Sequence, residues 1–350
     1  MELEKYIIGE RVSIIEALKK LNNLSGGTSM TLFVTDESGK VLGTLTDGDI
    51  RRSLINGAGP ETELKEVMHR DFMALRGTEI TVKEIRRLRE CRVTLVPRLD
   101  EDGKIIQIYD FSVQNSLLPI DAVLMAGGKG ERLRPLTNDT PKPLLKLGDK
   151  CIIDYNIEAL ARNGISHISV TTNYLADLIA DHFSKPVAGV SVQCVKEPCR
   201  LGTIGSLSLV EGMKNDTVLL MNSDLFTNIN YEEMFLSHQE SGADVTVAVT
   251  PYMVSVPFAI FRTDENGDVK ALEEKPTYNY YANAGIYMIK RELLSIIPTG
   301  EYYDATDFLE DVIAQGRKVR QFPINGIWID IGSPADFRHA QDLIGLSNKF

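Results

Sequence analysis

Leu124-Met125-Ala126-Gly127-Gly128-Lys129-Gly130-Glu131-Arg132-Leu133-Arg134-Pro135-Leu136-Thr137, followed at once by Pro141-Lys142-Pro143, is the stretch that decides the fold. The apolar run from Asp121 to Met125 predicts a buried strand. It breaks into three glycines within four residues, and then into lysine and arginine. Glycine lets the chain turn sharply and come close to a ligand, with its N–H groups free to face anionic oxygens. The chemistry is that of a phosphate-binding loop, but the spacing is not the usual one. No Gly-Lys-Ser/Thr follows, and Leu133 stands where G-x-G-x-x-G would need its third glycine.

The pattern resembles instead the sugar-nucleotide pyrophosphorylases, the sugar-phosphate nucleotidyltransferases. Their signature is a strand, then A-G-G-x-G-x-R-L-x-P-L-T, then P-K-P. Glu131 departs from it, where that family often has threonine, and a change of local loop contacts is expected from it. Further matches lie downstream. Leu201-Gly202-Thr203 resembles the L-G-T segment, with Ile204 where alanine is common. Asn222-Ser223-Asp224 ends a predicted strand. Glu273-Glu274-Lys275-Pro276 resembles the E-K-P element, and Asn283-Ala284-Gly285-Ile286-Tyr287 the strand beside the sugar. Gly326-Ile327-Trp328-Ile329-Asp330-Ile331-Gly332-Ser333-Pro334 matches W-x-D-x-G-[ST]-P.

The resemblance implies a reaction and a set of roles. A sugar 1-phosphate oxygen attacks the α-phosphate of a nucleoside triphosphate, and pyrophosphate leaves. Asp224 and Asp330 are the implied Mg²⁺ ligands. A hard cation needs oxygen donors, and few from the protein when phosphates supply the rest. Alone, either aspartate would read as a turn or a cap. Arg132 and the amides of Ala126, Gly127, Gly128 and Gly130 would hold the departing pyrophosphate. Lys142 and Lys275 would screen the two approaching phosphates, which repel strongly at near contact. Glu274, Asn283 and Gly285 would line the sugar, and Gly202 would lie close to base or ribose. Asp304 and Asp307 are further carboxylates that look like a helix start. Glu197 lies where the family reads the base. Guanine offers two adjacent donors, and a carboxylate offers two acceptors, so Glu197 favours GTP. A surface glutamate before proline is the plain alternative.

Around residue 118 the chain changes character. The expected domains are 1–116, a short linker 117–120, and 121–350. Upstream lies a weak internal repeat of helix, strand, turn, strand and helix. The first copy is Ile14 to Leu21, Thr31 to Thr35, a turn at Glu37 to Lys40, and Val41 to Leu45, with a helix starting at Thr46-Asp47-Gly48-Asp49. The second is Val82 to Leu88, Val93 to Val96, and Lys104 to Ile108. This resembles a pair of CBS domains. In that family Thr46 and Asp49 would bind an adenine nucleotide, since a helix N-terminus favours phosphate and a carboxylate accepts hydroxyl protons. A helix cap would use the same residues. A packing, oligomerisation or regulatory role is the preferred expectation for this region.

Downstream, strands and helices alternate. Strands are expected at Ile168 to Thr171, Val190 to Val195 and Thr217 to Met221. Helices are expected at Ile152 to Asn163, Leu175 to Phe183 and Thr203 to Met213. Such alternation predicts an α/β fold with a mostly parallel sheet, and ligands then bind at the carboxyl ends of its strands. The segment from Asp244 to Met288 is richer in strand signals and suggests an added sugar-binding lobe. The whole resembles the Rossmann-like nucleotidyltransferase fold preceded by an α+β CBS pair.

Composition excludes several classes. The formal net charge of −11 argues against nucleic-acid or anionic-membrane binding. No apolar run is long enough to span a membrane, and the charged start Met1-Glu2-Leu3-Glu4-Lys5 is unlike a signal peptide, so a cytoplasmic protein is expected. The four cysteines form no C-x-x-C and read as reduced thiols, not as a zinc site or a disulfide. The expected partners are GTP and a sugar 1-phosphate such as glucosamine 1-phosphate, with mannose and heptose 1-phosphates open, and a homo-oligomer is expected. The rivals are a CTP- or UTP-using enzyme, a non-catalytic sensor of nucleotide or sugar phosphate, and a dinucleotide-binding dehydrogenase. The incomplete glycine pattern and Pro141-Lys142-Pro143 speak against the last of these.

Overall fold

Ser13, Thr46 and Thr81 each stand just before a helix, and each has a carboxylate three residues on, at Glu16, Asp49 and Glu84. Reciprocal hydrogen bonds across those residues satisfy donors that a first helical turn leaves unpaired. These caps belong to the first of two compact units, Met1–Leu117 and Leu118–Phe350. The structure is a computed structural model and describes residues 3–24, 29–77 and 80–347. The start read at Met1 and Glu2 lies outside the described residues.

In the first unit, β1 (Ile7–Gly9), α1 (Ile14–Asn23), β2 (Thr31–Thr35), β3 (Val41–Thr46), α2 (Asp47–Ile55) and α3 (Leu64–Val67) make one copy. The next copy is β4 (Leu75–Arg76), α4 (Val82–Glu90), β5 (Leu95–Leu99) and β6 (Ile105–Asp110). In both copies the first strand pairs parallel with the second, and the second antiparallel with the third. The repeat in the sequence is therefore a repeat of topology. Leu95, Leu99 and Ile108 of the second copy join the core built by Ile14, Leu21, Phe33, Leu45 and Ile50 of the first. β5 starts later than Val93, because the Val93 N–H instead closes the end of α4 by donating to the Leu88 carbonyl at 3.2 Å.

The second unit runs β7 (Ile120–Ala126), β8 (Lys146–Leu147), β9 (Lys150–Cys151), α5 (Ile152–Arg162), β10 (His167–Thr172), α6 (Ala176–His182), β11 (Val192–Lys196), β12 (Thr217–Asn222), β13 (Leu225–Thr227), α7 (Tyr231–Ser241), β14 (Val245–Ser255), β15 (Ile260–Thr263), β16 (Val269–Glu273), β17 (Thr277–Lys290), α8 (Ala305–Ala314), β18 (Val319–Pro323), β19 (Trp328–Asp330) and α9 (Pro334–Ser347). Its main sheet has seven strands in the order β11-β10-β7-β12-β17-β14-β18. Only β17 runs antiparallel to its neighbours. β7 and β12 are buried along nearly their whole length, as strands covered on both faces should be. The carboxyl ends of these two neighbours carry the glycine loop and Asp224.

The helix expected over Thr203 to Met213 does not form. Only a 3₁₀ turn, Gly205–Leu209, lies there. The Ile204 and Gly205 amides both donate to the Tyr303 carbonyl at 3.1 Å, so they face a distant strand-to-helix connection. Glycines at 202, 205 and 212 weaken any helical alternative. The strand-rich lobe is present. Past Val249, β14 and β17 continue as a two-stranded ribbon with exposed residues, and the hairpin β15–β16 stands beside it in sequence.

One buried group makes stability depend on pH. His238 on α7 is 3% exposed, and its Nδ1 lies 2.8 Å from the Thr246 hydroxyl. Burial, with nearby Lys290 and against Asp244, pushes its imidazole from 6.5 down to about 4. The unfolded chain therefore takes up this proton first as pH falls. The stabilisation is complete above pH 6.5 and is lost as pH falls towards 4. At most the loss is on the order of 3 kcal/mol. Denaturant melts from pH 7.5 to 4.5 are expected to show this decline, and His238→Gln is expected to flatten it, within about 1 kcal/mol across the range.

Candidate active site

The loop after β7 is shaped by what surrounds each glycine. A Cβ on Gly127 would meet Glu197 Oε1 at 2.8 Å. Gly130 has φ +61°, and a Cβ there would lie 3.0 Å from the Thr137 methyl and 3.2 Å from Lys142 Cβ. The Thr137 hydroxyl donates to the Gly130 carbonyl at 2.8 Å, and Tyr174 donates to the carbonyls of Thr137 and Asn138. The loop is thus fastened at both ends. Gly128 between them has nothing within 4 Å of a built Cβ and is open to a ligand.

Strand pairing brings the two aspartates together. After β12 the Ser223 hydroxyl donates to the Met125 carbonyl at 2.6 Å, and the buried Asn156 amide donates to the Leu225 carbonyl at 2.9 Å. β13 then pairs with β19 so that Leu225 faces Asp330, and the Ile331 N–H donates to the Asp224 carbonyl. Lys142, 9% exposed, lies between the carboxylates. Its ammonium pairs with Asp224 and stands 3.6 Å from Asp330. Burial and the Asp224 charge push the Asp330 carboxyl above its usual range, against the pull of Lys142 and Arg132. The Arg132 guanidinium sits against Gly332, where a Cβ would lie 3.1 Å from one of its nitrogens. Among the described residues, Asp224 Oδ1 is buried without a hydrogen-bond partner. A buried carboxylate oxygen left unpaired beside a second carboxylate fits a hard divalent cation.

Glu197 is 7% exposed and stands directly behind the glycine loop. Burial raises its carboxyl, only partly offset by the Leu201 N–H, which donates to Oε2 at 3.4 Å, and by Arg200. Gly202 has φ +79°, and the Tyr303 carbonyl would be 2.5 Å from a Cβ there. The close approach that requires glycine at 202 is therefore made by the protein's own backbone. Asp304 precedes α8, as a helix start should, and its carboxylate accepts from the Thr203 N–H and hydroxyl and from Tyr302.

The remaining sequence-derived residues are distributed more widely. Glu274 and Lys275 lie exposed in the turn between β16 and β17, Lys275 with φ 44°. Among the described residues, no hydrogen bond or ion pair joins either of them to Arg132, Lys142, Asp224 or Asp330. Asn283 uses both ends of its amide locally. Oδ1 accepts from the Gly285 N–H at 2.9 Å, and Nδ2 donates to the Tyr287 hydroxyl at 2.8 Å. A Cβ on Gly285, at φ +71°, would lie 2.5 Å from the Asn222 amide nitrogen. Asn222 was missed as a site residue, although it stands two places before Asp224 and faces Gly285. Trp328 donates from its indole to the Ala284 carbonyl at 2.9 Å, fixing β19 to β17.

Thr46 and Asp49 bind each other. The Thr46 N–H and hydroxyl donate to Asp49 at 2.8 and 2.6 Å, and Arg52 donates to its other oxygen. Burial raises the Asp49 carboxyl, but these donors outweigh it and hold it below the usual range. The cap is thus what the structure forms from these two residues. One group was invisible in the sequence: ligand atoms of Cys151, Asp154 and His182 lie within 4.8 Å of one another. Local bonds account for it, since Asp154 accepts from the Cys151 N–H at 3.1 Å and lies 2.7 Å from His182 Nε2.

Residues 121–345 match the nucleotidyl transferase family model, and residues 5–56 match the CBS domain model. The mannose-1-phosphate guanylyltransferase of Mycobacterium tuberculosis is 32% identical over 234 residues, 64% of this chain and 65% of that protein. The mannose-1-phosphate guanyltransferase of Debaryomyces hansenii is 30% identical over 227 residues, 61% of this chain and 62% of that protein. The chain thus spans less than two thirds of the length of these curated relatives. The crystal structure of HddC from Yersinia pseudotuberculosis aligns with a TM-score of 0.51 at 22% identity, covering 64% of this chain and 99% of that one, a likeness of fold. Among the described residues, no helix is long and apolar enough to cross a membrane.

Proposed function

Since this chain belongs to the nucleotidyl transferase family, we propose that it transfers a guanylyl group from GTP to a sugar 1-phosphate and releases pyrophosphate. The observation that carries this reading is the Lys142–Asp224–Asp330 cluster, with its unpaired buried Asp224 oxygen, beside the glycine loop. The guanylyltransferase names of the relatives and the buried Glu197 support GTP over CTP or UTP.

In the proposed reaction a sugar-phosphate oxygen bonds to the α-phosphorus, and the bond from that phosphorus to the bridging oxygen breaks. The electron pair leaves with pyrophosphate. The attacking oxygen is already anionic, so no general base is required, and the protein contributes position and positive charge. Asp224 and Asp330 would hold Mg²⁺, which when bound neutralises phosphate oxygens. Lys142 offsets charge at the same place. Arg132 and the amides of Ala126, Gly127, Gly128 and Gly130 would hold the pyrophosphate end. Lys275 and Glu274 on the β16–β17 turn, with Asn283 and Gly285, form the sugar side.

Glucosamine 1-phosphate, mannose 1-phosphate and heptose 1-phosphate are the first sugars to test in this reading. A pyrophosphate-release screen of GTP, UTP, CTP and dTTP against a panel of sugar 1-phosphates decides it. GTP is expected to lead by at least about tenfold. No release with any pair would overturn the transferase reading, and equal release with GTP and UTP would overturn the base.

The first unit is proposed to regulate or assemble the enzyme, in a cytoplasmic homo-oligomer, with packing or assembly preferred over binding of an adenine nucleotide, since Thr46 and Asp49 cap a helix together. Among its described residues it carries no catalytic constellation. Removal of residues 1–116 is expected to leave guanylyl transfer within about tenfold of the full chain. A soluble, folded truncation without activity at any substrate concentration would place part of the active site in the first unit.

A further inference from the structure

We propose that Tyr303 and Asp304 clamp the base-reading segment, and that Asp304 is a positioning residue for nucleotide selectivity. This rests on the nucleotidyl-transfer reading above. Leu201 is the link. Its N–H donates to the Glu197 carboxylate at 3.4 Å, and its carbonyl accepts from the Tyr303 N–H at 3.0 Å. The Tyr303 carbonyl then accepts from both Ile204 and Gly205 at 3.1 Å. One peptide segment, about a hundred residues away in the chain, thus holds Leu201, Ile204 and Gly205 together.

Two glycines make that approach feasible. A Cβ on Gly202 would meet the Tyr303 carbonyl oxygen at 2.5 Å, and one on Gly205 the Glu301 carbonyl oxygen at 2.7 Å. Asp304 closes the arrangement. Its Oδ1 accepts from the Thr203 N–H at 3.0 Å and from the Thr203 hydroxyl at 3.1 Å, while that hydroxyl accepts from the Ala305 N–H at 2.7 Å. A loop that had lost its expected helix would otherwise have several backbone groups to satisfy elsewhere. Here they are spent on fixing the residue that positions Glu197. Hydrogen bonds to an ionised carboxylate are stronger than those between neutral groups. Among the described residues, no hydrogen bond or ion pair joins Asp304 to the glycine loop or to Lys142, so it acts through Thr203, beside the Tyr303 N–H that holds Leu201.

The test measures binding of fluorescent GTP and UTP analogues, alongside steady-state kinetics with the best sugar 1-phosphate. Asp304→Ala is expected to lower the GTP-to-UTP affinity ratio about tenfold, with KM for the sugar phosphate within about twofold. Asp304→Asn keeps an acceptor for both Thr203 donors and is expected to hold the ratio within about threefold of wild type. Thr203→Val, which removes the hydroxyl from the other side, is expected to follow Asp304→Ala. An unchanged ratio in a folded Asp304→Ala would overturn the clamp's role in selectivity. So would an equal loss of nucleotide and sugar-phosphate binding, which would mark a structural effect alone. Wild-type protein binding neither analogue would instead overturn the transferase reading on which the clamp rests.

Discussion

Asp224→Asn and Asp330→Asn are each expected to lower pyrophosphate release by about 10²–10⁴-fold while leaving the protein folded. Each swap keeps side-chain shape and removes one negative charge. Asp224 contributes the buried oxygen that has no hydrogen-bond partner among the described residues, and Asp330 the second carboxylate, brought near it by the pairing of Leu225 with Asp330 in β13–β19. In Asp224→Asn, Lys142 keeps Asp330, 3.6 Å away in the parent, so the ammonium is not abandoned. The burial that raises the Asp330 carboxyl is aggravated by Asp224, and neutralising either residue relieves that repulsion. A loss of stability above about 2 kcal/mol is therefore not expected. Turnover and a thermal melt should be read together. A variant melting near wild type and turning over near wild type would remove the metal assignment. If Asp224 and Asp330 hold Mg²⁺ as proposed, calorimetric Mg²⁺ affinity should fall with turnover.

The same cluster shows what was legible beforehand. The glycine loop, Lys142, Asp224 and Asp330 each lie in a local motif, and local motifs can be read without knowing the pairing of strands. The strands at Asp121 to Met125 and Thr217 to Met221 were equally plain, since a continuous apolar run suits a strand buried on both faces. Their convergence was not plain. Lys142 and Asp224 are 82 residues apart, and they meet because β7 and β12 are parallel neighbours. The error at Thr203 to Met213 has the same origin. The periodicity there suits a helix, but the amides are claimed by Tyr303, on a segment no local window contains. Gly202 shows a finer version. The sequence reading placed it close to base or ribose, whereas the group that a Cβ there would meet is the Tyr303 carbonyl. The closeness of Asn222 to Gly285 could not be read locally, because Gly285 contributes only an absent side chain.

Glu197→Gln is expected to narrow the preference for GTP over UTP by about 1–3 kcal/mol, roughly 5- to 150-fold, with little change in UTP use. Guanine presents two adjacent donors, N1–H and its amino group, and a carboxylate meets them with two acceptors. Gln keeps one acceptor and sets an NH₂ against a donor. Its remaining carbonyl can still accept from the Leu201 N–H, as Glu197 Oε2 does at 3.4 Å, so the loop geometry should survive. Gly127 leaves the space before Oε1 free of side chain. The protonation state adds an independent check. Burial, only partly offset by Leu201 and Arg200, holds the Glu197 carboxyl above its ordinary range. As pH falls through that raised value, the wild-type residue gains an acidic proton and becomes a donor on one side, as Gln already is. The wild-type GTP-to-UTP ratio is therefore expected to decline on mild acidification, whereas the ratio in Glu197→Gln should stay flat. Nucleotide competition measured at several pH values reads both effects. A wild-type ratio near one at neutral pH would remove the base assignment. A Gln variant with an unchanged ratio would move base reading to another residue.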